Sequence, residues 1–381
     1  MVNRHVLAVR LDSMGDLLVT SPALRAIAAS EEVAKLTLLC SPATAPTARL
    51  LPGVDEVETW TCPWIVSPAP AVDHADIRRI IDILTVADID EAVIFTSFHQ
   101  SSLPTAMILR AAGIARITGV SVDYPGSLLD ERIRPGAELS EDLPEVERGL
   151  AIAERAGFAL PASDDARPRV VGTAGEFARQ CPQARALSGG RLIVAHPGAS
   201  VPSRRWSAEH MRETVAELAA QGWTVAVTGT PDERRLTDFV AGTAGIDLGG
   251  ALDVAGLADL LAAAAAVIVG NTGPAHLAAA VGTPVVSLFS PVVPPVRWLP
   301  YGVDVEMLGD QTAACRGTRA RDCPVADHPC LNTVSAADAV SAVHRLVERS
   351  PGARETDGGP GTSVRDEEPV KHPAHAVRSS S

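Results

Sequence analysis

A polar turn between an apolar run and an alanine-rich segment is the most informative feature of the sequence. Val267 to Gly270 reads as a short strand, and Asn271, Thr272 and Gly273 separate it from Pro274. Proline fits the first turn of a helix because its missing N–H would have no partner there. The pattern predicts a strand, a turn and a helix whose free N–H groups favour a phosphate or pyrophosphate. An ordinary strand-to-helix connection is the alternative interpretation.

The segment from Arg10 to Asp16 follows the first apolar strand and reads Arg-Leu-Asp-Ser-Met-Gly-Asp. Ligands of open α/β sheets bind beyond the carboxyl ends of the strands, so Asp12, Ser13 and Asp16 are placed to meet a substrate. A carboxylate at this position can act as a general base on a hydroxyl group. Capping of the following helix is the competing interpretation. The segment has one glycine and is not a dinucleotide-binding fingerprint.

The loop from His196 to Trp206 is a second candidate ligand site. Ser200 can offer an O–H donor, and the guanidinium of Arg204 can hold a phosphate through two hydrogen bonds. The alternative is a solvated loop with Trp206 tucked into the core.

The stretch from Val227 to Glu233 again reads as a strand, a turn and a helix start. An acid at such a strand end binds ribose hydroxyls in many nucleotide sites, which makes Glu233 a candidate. Helix capping by the same residue is the alternative.

Three cysteines and one histidine near the end of the ordered sequence, Cys315, Cys323, Cys330 and His328, have ligand types that suit zinc. Their spacing misses the C-x2-C pairs of common structural zinc sites, which favours buried or loosely paired thiols.

Composition limits the function classes. The 381 residues predict two domains, and the formal charge of −13 argues against a nucleic-acid binder. Arg316, Arg319 and Arg321 form a local basic cluster that either approaches a phosphorylated ligand or is a solvated loop. No signal peptide and no apolar run of membrane-spanning length is visible, so we expect a soluble cytoplasmic protein.

Strand-like and helix-like segments alternate through both halves, which predicts two doubly wound α/β domains in tandem. A helix is expected to begin at Ser21-Pro22 and to run towards Ser30. The predicted units are an N-terminal domain at 1–165, a C-terminal domain at 166–334, a final helix at 335–349 and a disordered tail at 350–381.

Taken in order, these motifs resemble those of glycosyltransferase family 9, the heptosyltransferases. The resemblance spans roughly residues 4 to 349. It is carried by Arg10 to Asp16 with Ser21-Pro22-Ala23-Leu24, by His196 to Ser200 with Arg204-Arg205-Trp206, and by Asn271 to Ala279 with Gly282 to Val286 and Leu288-Phe289. It implies the GT-B architecture, in which two Rossmann-like domains face each other across a cleft.

The resemblance also implies a reaction. Family members transfer a sugar, typically heptose from ADP-heptose, to a saccharide or glycolipid hydroxyl with inversion and without a metal or other cofactor. Asp16 matches the general base that deprotonates the acceptor. The donor side would comprise Ser200 and Arg204 at the diphosphate, Glu233 at the ribose, and Asn271, Thr272, Gly273 and His276 at the phosphates or the sugar. The acceptor side would comprise Asp12, Ser13, His99 and Asp123, although a histidine such as His99 is often a structural hydrogen-bonding residue.

Two residues depart from the family pattern. The family usually has lysine where Arg204 stands and aspartate where Asn271 stands. Arginine keeps the charge with a different geometry. Asparagine removes a negative charge beside the donor, so the sequence specifies the reaction type better than the donor sugar.

Two other functions remain open on this fold, a nucleotide-sugar epimerase and a nucleotide-sugar-binding protein without turnover. Asp16 argues against the second, because a binding protein needs no base there. The expected partners of a transferase are a nucleotide-diphosphate sugar and a saccharide or glycolipid acceptor. A peripheral contact with the inner face of a membrane is part of that expectation, and nucleic acid is not.

Overall fold

Short apolar strands alternate with helices through both halves of the chain, so each half forms a parallel sheet covered by helices on both faces. The computed structural model describes residues 3–97, 99–181, 187 and 191–349. It contains two six-stranded sheets in which every strand pair is parallel. The tail predicted at 350–381 lies outside the described residues.

The first half forms the sheet β3-β2-β1-β4-β5-β6. Its strands are β1 (Arg4–Arg10), β2 (Val33–Cys40), β3 (Glu56–Thr59), β4 (Glu91–Ile94), β5 (Arg116–Val120) and β6 (Glu131–Ile133). Its helices are α1 (Met14–Ala28), α2 (Ala45–Ala48), α3 (His74–Val86), α4 (Leu103–Ala111) and α5 (Glu145–Arg155), with a 3-10 turn at Pro42–Thr44. The short helix α6 (Glu176–Gln180) packs on the second half, where the Phe177 N–H donates to the carboxylate of Asp259 at 3.0 Å.

The second half repeats the plan as the sheet β12-β11-β10-β7-β8-β9. Its strands are β7 (Leu192–His196), β8 (Thr224–Gly229), β9 (Ile246–Gly249), β10 (Ala266–Gly270), β11 (Val285–Leu288) and β12 (Val305–Leu308). Its helices are α7 (Ala208–Ala220), α8 (Arg234–Ala241), α9 (Val254–Ala262), α10 (Gly273–Ala280), α11 (Pro295–Trp298), α12 (Pro329–Asn332) and α13 (Ala336–Arg349), with 3-10 turns at Pro202–Arg204 and Pro231–Glu233.

Both sheets therefore have the same strand order, that of the doubly wound Rossmann fold, and the predicted fold class is confirmed. The order reverses between β1 and β4 in the first sheet and between β7 and β10 in the second. In such sheets ligands bind in the crevice at the reversal point, beyond the carboxyl ends of the strands. The topology thus marks one candidate crevice in each half.

The prediction for the first helix was wrong at its start. α1 begins at Met14, with Ser13 as its N-cap, and Pro22 lies inside it. Ser13 and Asp16 form a reciprocal capping box that begins the helix earlier than the proline. Pro22 removes one backbone hydrogen bond, but it is buried, and packing on the core holds the helix through this point.

Buried and half-buried ion pairs join the two halves. Arg297 of α11 donates to the backbone carbonyl of Glu141 at 2.8 Å and to the carboxylate of Glu145 at 3.4 Å. Within α5, Arg148 also pairs with Glu145 at 3.8 Å. In the described part of the chain no helix is long and apolar enough to cross a membrane.

Candidate functional site

A cluster of charged and polar side chains lies where β1 and β4 end, at the reversal point of the first sheet. Arg10 forms ion pairs with Asp12 and Asp16, with N–O distances of 2.9 and 2.8 Å. The Ser97 hydroxyl donates to Asp16 at 3.0 Å, and the Gln100 amide donates to Asp12. The loops that follow two neighbouring strands therefore surround one buried guanidinium.

These surroundings shift the pKa values of Asp12 and Asp16 in opposite directions. Burial raises the pKa of Asp12 to about 6, and Arg10 offsets only part of that effect. Burial also opposes ionisation of Asp16, but Arg10 and the hydroxyls of Ser13 and Ser97 outweigh it and hold the pKa of Asp16 below its usual range. Asp16 is ionised at neutral pH. Pairs of carboxyl groups with separated pKa values are typical of sites that move protons.

The carboxylate of Asp16 also caps α1. It accepts from the Ser13 N–H at 3.2 Å and from the Ser13 hydroxyl at 2.5 Å. Helix capping, the competing interpretation of this motif, therefore involves the same group as the general-base interpretation. The Asp16 side chain is 13% exposed, so a substrate hydroxyl has access to it from the cleft.

A second polar turn lies where β7 and β10 end, at the reversal point of the second sheet. β10 ends at Gly270, and Thr272 is the N-cap of α10. Arg204 donates from Nη1 to the Asn271 carbonyl at 3.3 Å, and Asn271 Oδ1 accepts from the Ser290 N–H at 3.3 Å. These bonds fix the turn between the strand and the helix.

Three buried polar atoms at this turn have no hydrogen-bond partner among the described residues. They are Arg204 Nε, Thr272 Oγ1 and His276 Nδ1. A buried polar group left unpaired costs about 1–3 kcal/mol, so such a set indicates room for a polar ligand. Burial lowers the pKa of His276 to about 4, which leaves a neutral imidazole with one N–H donor. Together with the N-terminus of α10 these groups suit a diphosphate.

The two clusters face each other because α1 and α10 meet at their N-termini. A Cβ at position 15 would lie 2.9 Å from Cδ2 of His276, and a Cβ at position 273 would lie 3.5 Å from the backbone nitrogen of Gly15. Glycine at positions 15 and 273 permits this close approach. Asp16 is the next residue after Gly15, so its carboxylate and the proposed diphosphate donors belong to the two helix N-termini that meet here.

Glu233 lies beside the loop that follows β7. Its Oε2 accepts from the Thr230 N–H at 2.9 Å in a capping box, and its carboxylate occupies the space where a side chain at Gly198 would lie. The capping interpretation therefore matches a bond in the structure. Binding of ribose by the same carboxylate stays a prediction.

His99 follows β4 and lies within electrostatic reach of both halves. Partial burial lowers the pKa of its imidazole, the charge of Arg319 adds to that effect, and Asp16 opposes it. Of the other acceptor-side predictions, Asp12 and Ser13 belong to the cluster around Asp16.

Two predicted residues stand apart from both clusters. Ser200 is exposed in the loop after β7. Asp123 is exposed in the loop after β5, where its carbonyl accepts from the Ser121 hydroxyl at 3.0 Å. Within the described residues neither side chain makes a hydrogen bond to the cluster around Asp16 or to the turn before α10, and their roles stay predictions.

The cysteine-containing segment packs onto the second sheet. Cys315 and Cys330 are buried in its apolar core, and burial raises the pKa of the Cys330 thiol to about 12. Cys323 donates to a backbone carbonyl at 3.3 Å, and a ring nitrogen of His328 bonds the Ser203 carbonyl at 3.0 Å. In the part of the chain that the structure describes, no three such side chains form a group that could hold a metal ion.

Arg10, Ser97 and Gln100 complete the cluster, although the sequence alone assigns no role to them. The sequence offers one signal for Arg10, which is a charged residue at the end of a strand and directly follows the apolar run from Val6 to Val9. Ser97 and Gln100 could be paired with the loop after β1 only once β4 was known to lie beside it.

The family model described as glycosyltransferase family 9 (heptosyltransferase) matches residues 97–327, more than half of the chain. Among curated proteins, lipopolysaccharide heptosyltransferase 1 of Pseudomonas aeruginosa is 28% identical over 295 residues. That alignment covers 76% of this chain and 79% of the relative.

Solved structures show the same architecture. The glycosyl transferase family 9 protein of Veillonella parvula has a TM-score of 0.76 at 16% identity, over 91% of this chain and 98% of its own. An Escherichia coli heptosyltransferase solved with ADP has a TM-score of 0.64 at 20% identity, over 90% of this chain and 99% of its own. At these identities the likeness concerns the fold, and it confirms the predicted GT-B architecture.

Proposed function

The chain belongs to glycosyltransferase family 9, and from that membership we propose that it is an inverting, metal-independent glycosyltransferase that moves a heptose from an ADP-sugar to an acceptor hydroxyl. The acceptor is a saccharide or a glycolipid. Support comes from the relative in Pseudomonas aeruginosa, a lipopolysaccharide heptosyltransferase, and from the neighbour that was solved with ADP. A lipid-linked acceptor would bring the enzyme to the inner face of a membrane, and this contact is part of the proposal.

One observation carries the proposal: an ionised carboxylate and a set of unpaired polar atoms lie on the two sides of the contact between α1 and α10. Asp16 lies on one side, and the unpaired atoms of Arg204, Thr272 and His276 lie on the other. The contact between Gly15 and His276 brings the two sides together. A transferase needs this arrangement because the base deprotonates the acceptor hydroxyl on one face of the sugar carbon, while the donors stabilise the diphosphate that leaves from the opposite face.

In the proposed step the acceptor oxygen attacks the anomeric carbon while Asp16 takes the hydroxyl proton. The bond between that carbon and the diphosphate oxygen breaks, and both of its electrons leave with ADP. Attack from the face opposite the leaving group inverts the configuration. Because the pKa of Asp16 is low, the proton is transferred late, once bond formation has made the hydroxyl acidic.

The departing diphosphate gains negative charge, which fixed donors stabilise without a metal. In the proposal Arg204 and Ser200 contact the diphosphate, and Thr272, Gly273 and His276 meet the phosphates or the sugar. Burial lowers the pKa of Arg204, yet its guanidinium stays charged at neutral pH. Asn271 borders the sugar, and Glu233 binds the ribose through Oε1 while Oε2 keeps its bond to Thr230.

The acceptor is placed on the side of the first sheet, against Asp12, Ser13, His99 and Asp123. This division assigns the acceptor to residues 1–165 and the donor to residues 166–334. The bounds of both domains are part of the proposal.

The test combines donor binding with transfer. The purified chain is titrated calorimetrically with ADP, UDP and GDP, and transfer is followed as ADP release from ADP-heptose with a lipopolysaccharide acceptor that lacks heptose. Asp16→Asn should lower the transfer rate about 10²–10⁴-fold, the usual contribution of a general base, while ADP affinity stays within about twofold. Asp82→Asn, an exposed carboxylate on α3, is the matched control.

Selective binding of UDP or GDP would overturn the proposal that the donor is an ADP-sugar. The role of Asp16 as the base would still be tested by the Asp16→Asn variant. An Asp16→Asn rate within tenfold of the wild type would overturn Asp16 as the base.

A further inference from the structure

A buried carboxylate outside the candidate site lies within electrostatic reach of the guanidinium that holds the proposed base. It belongs to Glu145, the first residue of α5, which is 4% exposed. α5 packs along α1, the helix that carries Asp16, and a Cβ at Gly149 would lie 3.6 Å from Ala23 Cβ. A buried charge is costly unless it is paired, so the charges around Glu145 decide whether it is stabilised there.

Three guanidinium groups from three different elements act on Glu145. They belong to Arg10 at the end of β1, Arg148 in α5 and Arg297 in α11. Burial raises the pKa of the Glu145 carboxyl group, and the charge of Arg10 opposes that rise more strongly than either of the other two. The negative charge of Asp16 adds to the rise. Glu145 is therefore coupled by charge to the cluster around the proposed base.

The contacts of Glu145 are long for a buried ion pair. Arg297 Nη1 donates to its carboxylate at 3.4 Å, and Arg148 Nε lies 3.8 Å from it. Charge-assisted bonds between such groups are usually about 2.7–2.9 Å long. Arg148 Nε is also among the buried atoms that have no hydrogen-bond partner within the described residues. A buried pair that stabilises the fold needs close contacts, so Glu145 contributes a shared charge rather than a tight bond.

Arg10 is the group that joins this carboxylate to the candidate site. It pairs with Asp12 and Asp16 at 2.9 and 2.8 Å, and Glu145 places a further negative charge within electrostatic reach of the same guanidinium. A carboxylate that attracts Arg10 lessens the positive charge that acts on Asp16. Because a carboxylate that is less stabilised by a cation is a stronger base, the charge of Glu145 strengthens Asp16 as a base.

The second half of the chain enters this charge cluster through Arg297. Its Nε donates to the Glu141 carbonyl at 2.8 Å, and its guanidinium pairs with the Glu141 carboxylate, so it is fixed on the first half. The positive charge of Arg297 offsets part of the negative charge of Glu145. Negative and positive groups therefore alternate from one half to the other, in the order Asp16, Arg10, Glu145 and Arg297.

We propose that Glu145 is a positioning residue that sets how strongly Arg10 binds Asp16. Arg297 of the second half moderates this effect, because it neutralises part of the Glu145 charge. The inference rests on the proposed function and deepens it by naming a control on the base that lies outside the reacting atoms. The packing of α11 on α5 then contributes to the strength of the base.

The first test follows the titration of Asp12, which shares Arg10 with Asp16. The aspartate carboxyl groups of the full chain are labelled with carbon-13, the Asp12 signal is assigned with Asp12→Asn, and its titration is followed by NMR. The wild-type midpoint should lie at the pKa of about 6. Glu145→Gln removes a negative charge near Arg10, so the midpoint should fall by about 0.5–1 pH unit. Arg297→Gln removes a positive charge and should raise it.

Glu147→Gln is the matched control. Glu147 lies in the same first turn of α5 and accepts from the Tyr301 hydroxyl of the second half at 3.2 Å. The variant removes the same charge from the same turn, and it also removes a contact between the halves. Because the partner of Glu147 is Tyr301 and not Arg10, the Asp12 midpoint should stay at the wild-type value.

The second test follows transfer as ADP release. Glu145→Gln should lower kcat about threefold at about pH 7.5, since the pKa of Asp16 falls and the base is weaker. The KM for ADP-heptose and the calorimetric affinity for ADP should not change, because Glu145 acts only through the base. Glu145→Asp keeps the negative charge and should bring kcat back to within about twofold of the wild type.

An Asp12 midpoint that is unchanged or higher in Glu145→Gln would overturn the proposal, as would an equal fall in Glu147→Gln. A midpoint that falls while kcat stays at the wild-type value would also overturn it, because the charge would then not act on the base. Arg297→Gln is an independent variant, and a lower midpoint there would contradict the proposed order of charges. An Asp16→Asn variant with the wild-type rate would contradict the proposed base, and the NMR titrations would still decide whether Glu145 acts on Arg10.

Discussion

Gly15 lies directly against His276, so closely that a Cβ at position 15 would fall 2.9 Å from the imidazole Cδ2. The two residues belong to the first turns of α1 and α10, which begin at the reversal points of different sheets. This contact links the helix that carries the proposed base to the helix that carries proposed leaving-group donors. It makes the geometry of the reaction depend on the absence of one methyl group.

Gly15→Ala should therefore damage transfer far more than it damages folding. The added Cβ would push the His276 ring away, and a displacement of about 1 Å in a reacting geometry can cost roughly 100-fold in rate. Initial rates of ADP release, measured well below the thermal midpoint of the variant, test this expectation.

Gly149→Ala is the matched control because position 149 lies within α5 and a Cβ there would make an ordinary contact, 3.6 Å from Ala23 Cβ. Replacing a helical glycine with alanine should stabilise the protein by up to about 1 kcal/mol and leave the rate unchanged. A Gly15→Ala rate close to that of the wild type would show that the His276 contact has no part in transfer.

Arg204→Gln should weaken ADP binding while leaving the fold intact. The unpaired Nε and the charge of Arg204 are proposed to meet the diphosphate, and the loss of a charged hydrogen bond costs about 1.5–3 kcal/mol. That range corresponds to a loss of roughly 10–150-fold in calorimetric affinity. Arg205→Gln, the exposed neighbour whose side chain donates to the Ala199 carbonyl, should bind ADP as the wild type does. Equal affinities in the two variants would remove Arg204 from the donor site.

Much of the fold follows from the sequence because the buried parallel strands are nearly continuous apolar runs. Val267 to Gly270, the polar turn and the helix after it lie where the pattern predicts, with the helix starting at Gly273. The predicted start of α1 is wrong because Pro22 is a stronger local signal for a helix start than the Ser13–Asp16 capping box. Only the buried environment of Pro22 shows that the helix continues through the proline.

The candidate site could be predicted only in part, because its completion depends on which strands are neighbours. Local chemistry indicated Asp16 and the turn before α10 but not the grouping of Ser97 with Arg10, which requires β4 to lie beside β1. Likewise nothing local relates Arg297 to Glu145, more than a hundred residues earlier, since their contact depends on how the halves pack.

The pH dependence of transfer should show an acid limb that Asp12 controls. The pKa of Asp12 is about 6, so on acidification this group is protonated while Asp16 remains ionised. Arg10 then has Asp16 as its remaining ion-pair partner in the cluster and makes that carboxylate a weaker base. The rate should therefore fall as the pH drops through about 6 and level off at a lower value once Asp12 is protonated.

Asp12→Asn is expected to show no inflection near pH 6 in the pH profile of kcat, because it has no group to titrate there. The measurement spans about pH 5 to 8 with saturating donor. An unchanged inflection in Asp12→Asn would assign the limb to another group.

Acid should also destabilise the fold through His196, which lies at the end of β7 and bonds the Thr228 hydroxyl at 3.0 Å. Burial lowers the pKa of His196 to about 4, whereas the unfolded chain has the ordinary value of about 6.5. Between these values the unfolded state binds a proton that the native state does not. The part of the free energy of unfolding that depends on a neutral His196 is therefore fully present above pH 6.5, and it is lost progressively as the pH falls towards 4.

His196→Asn should reduce this loss. At about pH 5 the histidine term amounts to roughly 2 kcal/mol, from 1.36 kcal/mol per unit over about 1.5 units. Urea unfolding of the wild type and the variant at about pH 7.5 and pH 5 measures it, and the other titrating groups, Asp12 included, cancel in the difference. His74→Asn, at an exposed position in α3, should lose as much stability as the wild type. If His196→Asn does so too, the buried imidazole does not limit acid stability.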